Sequence, residues 1–208
     1  GCDAYTWTGA TNSDWDEPGN WSSPGSGFPD GSNAVTIPDV GINPYPILVA
    51  DAGTGDLTME SAASIELNGF ELALSGTITN VSSGASLDAS ASGSNLFISS
   101  ADAASLPAGF ISEDVANLTV ENPTGATVNS TMNITEVLSV REGTLTTNDH
   151  ITMKCSFVNE PEPGDPKTTA QVDEVGSSAS ITGEVTVERC VPKSNRAFRY
   201  IGSPVNTS

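Results

Sequence analysis

The side chains able to do chemistry are few and poorly matched to one another. His150 is the only histidine, so a metal site built on imidazoles lacks ligands. A Ser-His-Asp relay would have to form around that one ring with no nucleophile motif beside it. In Asn148-Asp149-His150 it reads as a turn residue. Cys2, Cys155 and Cys190 show no C-x-x-C spacing, which removes zinc-knuckle and thioredoxin-like chemistry. Carboxylates are the abundant resource. Asp14, Asp16 and Glu17 stand at turn spacing and could hold a weakly bound Ca²⁺ with help from backbone carbonyls, although they fall short of an EF-hand loop. Paired carboxylates would also suit a glycosidase. The three tryptophans, Trp7, Trp15 and Trp21, all fall near the start of the chain. Two roles are open to them: covering the apolar end of the structure, or stacking on sugar rings while Asp14, Asp16 and Asn20 bind hydroxyls.

Charge restricts the partners. The chain of 208 residues carries 7 Lys+Arg against 26 Asp+Glu, a net charge of -19. The first basic residue is Arg141, so residues 1–140 hold 17 of the acids and no cation. Nucleic acid and anionic bilayers are disfavoured as partners by repulsion. β-Helix polysaccharide lyases are disfavoured as well, because they handle acidic sugars with Lys or Arg. The acids form either a solvated surface or one that recruits divalent cations. No stretch approaches the ~20 apolar residues of a membrane span. Gly1-Cys2 fits an ordinary terminus or the acylated cysteine of a lipoprotein.

The elements available to position these residues are short strands. Aromatics are 6% of the chain, with 20 Gly and 13 Pro, a thin supply for a compact enzyme core. No window sustains a helical apolar period. Val35-Thr36-Ile37, Leu57-Thr58-Met59, Ile65-Glu66-Leu67, Leu72-Ala73-Leu74, Leu118-Thr119-Val120, Ile151-Thr152-Met153 and Val185-Thr186-Val187 each put two apolar residues on one face and a polar or small one on the other. Thr119 is accordingly expected to point outward between Leu118 and Val120. A β-sandwich is the alternative fold, but its strands usually run ~5 to 6 residues.

Repetition favours a solenoid. Met59 to Val81, Ile65 to Leu87, Leu74 to Leu96, Leu96 to Leu118 and Leu118 to Val140 share one spacing, a period of about 22 residues. The phrases Ser61-Ala62-Ala63-Ser64-Ile65, Ser83-Gly84-Ala85-Ser86-Leu87 and Ser177-Ser178-Ala179-Ser180-Ile181 mark recurrent corners. This is the rung of a parallel β-helix, an all-β solenoid whose rungs bury apolar residues by stacking on their neighbours. The expected organisation is a Trp-rich cap over 1–48, a solenoid over 49–190 with a proline-rich insertion near 159–170, and the start of a following β module over 191–208.

The opening Trp7-Thr8-Gly9, Gly19-Asn20-Trp21 and Val35-Thr36-Ile37-Pro38, the Leu57-Thr58-Met59-Glu60-Ser61 rung, and the closing Ile181-Thr182-Gly183, Val187-Glu188-Arg189, Arg196-Ala197-Phe198-Arg199 and Ser203-Pro204-Val205 together resemble secreted, multidomain surface proteins of Bacteroidota. The resemblance spans nearly the whole chain. It implies export by the type IX system, a place at the cell surface, a role in adhesion or gliding, and a chain that is the N-terminal piece of something longer. Partners would be other domains of the same protein and extracellular glycans. Cys190 stands where such proteins commonly carry an aromatic. In the oxidising setting that export implies, Cys155 and Cys190 could form a disulfide, since they lie about one rung apart once the insertion is looped out. Strand register opposes the pairing, because it sets Cys155 over Arg189 and turns Cys190 to the other face. The function expected is a non-enzymatic structural or adhesive module, with no cofactor other than calcium at the acidic turn; the alternative is a carbohydrate-binding module or a glycan-degrading β-helix enzyme.

Overall fold

A computed structural model describes residues 4–23, 25, 27–80, 84–157, 167–173 and 175–190. The strands, in chain order, are β1 (Ala4–Trp7), β2 (Trp21–Ser22), β3 (Ala34–Ile37), β4 (Ala52–Thr54), β5 (Leu57–Met59), β6 (Ser64–Glu66), β7 (Glu71–Leu74), β8 (Ile78–Asn80), β9 (Ser86–Ala89), β10 (Asn95–Ile98), β11 (Ala104–Leu106), β12 (Ile111–Glu121), β13 (Ala126–Val128), β14 (Met132–Thr146), β15 (Ile151–Met153), β16 (Cys155–Phe157), β17 (Lys167–Thr169), β18 (Gln171–Val172), β19 (Ala179–Thr182) and β20 (Val185–Val187). The only helical turn among the described residues is a 3-10 turn at Pro18–Asn20.

These strands wind into a parallel β-solenoid of about 5 turns with rungs of about 22 residues. Each early coil has three strands, as in β5–β6–β7 and β8–β9–β10, with Gly, Ser and Asn at the corners. The later coils fuse them. β12 runs along β9 and then β10, with a register shift between Val115 and Asn117 where it turns the corner. β14 goes further, pairing with β12 and then β13 along one edge and with β15, β18 and β19 along the other. Its last corner needs Gly143, whose φ is +77° and where a Cβ would collide with the Asn122 carbonyl; only glycine suits both conditions.

Inward positions form files of aliphatic side chains. Leu72, Leu96, Leu118 and Leu138 stack in register, as do Leu74, Ile98, Val120 and Val140, and all eight are at most 1% exposed. Ile65 stacks on Leu87 and Leu96 on Leu118, as the common spacing predicts. The other expected pairs shift. Leu74 meets Ile98, two positions beyond Leu96, and Leu118 meets Leu138, two positions short of Val140. Met59 lies beside Asn80. The turns between strands vary in length, and a two-residue change leaves each side chain on its original face because the strand period is two. Thr119 lies on the outer face, as alternation predicts, and is nevertheless covered. It is only 5% exposed, flanked in the ladder by Phe97 and Ser139, and its hydroxyl donates to Asn95 Oδ1 at 3.1 Å.

The N-terminal segment joins this stack directly. β3 pairs in parallel with both β1 and β5, while β2 closes the sheet by an antiparallel pairing with β1. At the other end, β16 and β17 pair antiparallel in a separate ladder flanking the proline-rich stretch, most of which lies outside the described residues. So does 191–208, where a following module is expected. Cys155 and Cys190 are joined by a disulfide, with Cα atoms 5.5 Å apart. The register objection fails because the β15–β20 ladder stops at Met153 and Val187. Cys155 then belongs to the β16–β17 hairpin, so strand alternation no longer dictates where its side chain points.

Candidate functional site: the tryptophan cap and an acidic groove

The cap is organised around rings and one amide. Trp21 meets Tyr5, Trp7 and Trp15 edge-to-face, with centroids at 6.1, 4.9 and 4.8 Å, the arrangement that the aromatic quadrupole favours. Trp7 Nε1 donates to the Pro44 carbonyl at 2.8 Å and Trp21 Nε1 to the Trp15 carbonyl at 2.7 Å. Asn20 is wholly buried. Its Oδ1 accepts from the Thr11 and Asn12 amides, and its Nδ2 donates to Asn12 Oδ1 and the Asp14 carbonyl. That uses the full capacity of the side chain.

This geometry corrects the sugar-platform reading. Trp7, Trp15 and Trp21 are 1%, 2% and 8% exposed, so they cover the end of the core and offer no flat face to a glycan. Asn20 has no free group for a hydroxyl. The calcium trio does not converge either. Asp14 Oδ2 accepts from Asn12 Nδ2, and Glu17 Oε1 takes the Gly19 amide at the 3-10 turn. Asp16 is exposed. Among the described residues no group of three or more His, Cys, Asp or Glu is placed to hold a metal ion. His150 occupies the turn after β14, where its amide donates to the Thr147 carbonyl.

Beside the cap lies a groove of about 370 Å³, walled by Trp15 and Asp16, the turn at residues 28–31, and residues 49–53. Phe28 and Val49 line it with apolar surface that is 45% and 41% exposed. Asp16, Asp30 and Asp51 stand exposed around it. The Ser32 hydroxyl and amide both donate to Asp30 Oδ1 and hold that carboxyl below its ordinary range. Asp51 Oδ1 accepts the Glu71 amide at 2.9 Å. Trp15 Nε1 is buried without a hydrogen-bond acceptor, the only such side-chain atom among the described residues. Sequence reasoning found Trp15 and Asp16 but missed Phe28, Asp30 and Asp51. The usable signal was an isolated aromatic in Phe28-Pro29-Asp30-Gly31, a turn composition that would hold a ring at the surface.

No protein-family model, curated protein or solved structure matches the chain.

Proposed function

We propose that the chain is a non-enzymatic structural and adhesive module of a larger bacterial cell-surface protein. The observation that carries this reading is the continuity of the stack. Parallel pairing joins β1, β3, β5 and β8 in one sheet and strands from β4 to β20 in another around one mainly aliphatic core, with only β1–β2 and β16–β17 antiparallel among the described strands, and the stack is closed at one end by the tryptophan cluster and tied at the other by the Cys155–Cys190 bridge. Stacked rungs of this kind make a stiff spacer, because each coil is held by its neighbours along its length. The disulfide is consistent with an oxidising, extracellular setting. The resemblance to exported surface proteins of Bacteroidota points the same way, and the high negative charge suits a solvated exterior.

The test is to immobilise the chain on beads and present it with extracellular polysaccharides and whole bacterial cells, while assaying the same polysaccharides for new reducing ends. Retention of cells or polymer without release of reducing ends is the expected result. Release above the bead-only control would contradict the reading and favour a β-helix glycan-degrading enzyme.

A further inference from the structure

The groove beside the cap coincides with an interruption in the strand ladder. Among the described residues, β4 is the outermost strand of its sheet, paired with β7 on one side and with no strand on the other. The Thr54 carbonyl accepts from the Ser75 amide, so Thr54 directs its backbone groups toward β7. Successive residues of a parallel strand address opposite neighbours. Gly53 therefore turns its N–H and C=O groups to the open side. Gly55 faces the same way, and there the preceding coil still supplies a partner, since the Gly55 amide donates to the Asn33 carbonyl at 2.7 Å. Beside Gly53 the preceding coil forms the turn at residues 28–31 in place of a strand, and Asp51 and Gly53 both line the groove. Gly31 of that turn packs on Gly53 where a Cβ would stand, a direction that leads out of the pleat and away from the line of the ladder hydrogen bonds.

We infer that this groove binds an extended peptide segment carrying Lys or Arg, which adds as a strand to the free edge of β4. Three independent features support that occupant. The N–H and C=O that Gly53 turns to the open side offer main-chain hydrogen bonds, the source of affinity when a peptide extends a sheet. Phe28 and Val49 offer apolar contact for alternate side chains. Asp16, Asp30 and Asp51 offer negative charge in a region with no cation of its own, because residues 1–140 contain neither Lys nor Arg; that favours a basic segment and repels an acidic one. The site stands apart from the adhesive reading above, because a spacer or an enzyme could equally carry it.

The ¹⁵N-labelled 208-residue chain is titrated with three synthetic hexapeptides: Thr-Val-Lys-Val-Lys-Thr, the same peptide with Glu for both Lys, and the same peptide with Pro at the second Val. The first should shift the Gly53 amide and the Trp15 indole N–H, with affinity falling as salt rises. The Glu and Pro peptides should bind at least about tenfold more weakly, the first through charge and the second through a lost backbone donor. D16N/D30N/D51N, which replaces three exposed carboxylates by near-isosteres, should weaken the Lys peptide by a similar factor while leaving the rest of the spectrum in place. Equal binding of the Glu or Pro peptide, shifts located elsewhere, or no shift up to about 5 mM Lys peptide would each overturn the inference. So would the same shifts arising from protein concentration alone, which would make a second copy of the chain the occupant.

Discussion

Leu96 lies wholly buried between Leu72 and Leu118, and no basic residue precedes Arg141 to neutralise a charge placed there. Leu96→Asp should therefore cost about 4 kcal/mol or more, a large share of the roughly 5 to 15 kcal/mol typical of a domain. Ile42→Asp, at a fully exposed position, should stay within about 0.5 kcal/mol. Urea melts compare the two directly. Thr119→Asp should fall between them at about 1 to 3 kcal/mol, because it buries a charge against Asn95 Oδ1. Glu136 accepts hydrogen bonds from the Ser92 hydroxyl at 2.6 Å, Asn117 Nδ2 at 3.0 Å and the Gly93 amide at 3.3 Å. The Ser92 bond leads in holding its carboxyl below the ordinary 4.5, against the opposing effect of partial burial. The unfolded chain thus takes up this proton more readily than the folded one, so Glu136 contributes stability above the ordinary value and loses it as pH falls through the folded one. Glu136→Gln should flatten the acid side of a stability profile measured from about pH 6 to about pH 3. A parallel profile for the variant would disprove the assignment.

At the scale of elements, the corners and ends of the coil carry the specificity. β14 bends through three faces of the solenoid, and its last corner places Gly143 at φ +77° against the Asn122 carbonyl. Gly143→Ala combines an unfavourable φ with a backbone collision and should cost more than about 2 kcal/mol in a urea melt. The Cys155–Cys190 bridge ties the hairpin of β16 and β17 to the end of β20 across 35 residues of sequence. In the chain-entropy account, closing a loop of that size is worth about 3 to 4 kcal/mol. Reduction should lower the urea midpoint and speed amide exchange in β20 more than in β10; uniform exchange would contradict a terminal staple. The elements also show which signals were legible. Alternating triplets such as Leu57-Thr58-Met59 mark strands and faces correctly. Their vertical partners are harder to read, because the rung from Leu72 to Leu96 is two residues longer than the common period and the rung from Leu118 to Leu138 two shorter. Even-numbered changes preserve the inward pattern and hide the true register. Alternation misplaces Cys155 for a related reason, since it is carried beyond the point where the ladder ends.

For the molecule as a whole, the solenoid is readable because its rungs repeat the same small set of residues, and the cap because three tryptophans crowd into one end. The groove is not. Trp15, Phe28 and Asp51 come together only when one coil is laid against the next, and no local spacing connects them. What Trp15 does is also undetermined by its neighbours Asp14 and Asp16, which suit a sugar site as well as a buried lid; burial of the ring decides between them. The core, the β4 edge and the groove all depend on the stacking register. It is tested most directly by methyl–methyl nuclear Overhauser contacts in a sample labelled at Leu, Val and Ile. The structure predicts contacts that link Leu72, Leu96, Leu118 and Leu138 in one file and Leu74, Ile98, Val120 and Val140 in the next. A continuous file through Leu74, Leu96, Leu118 and Val140 in place of these two, or the absence of any such file, would contradict it.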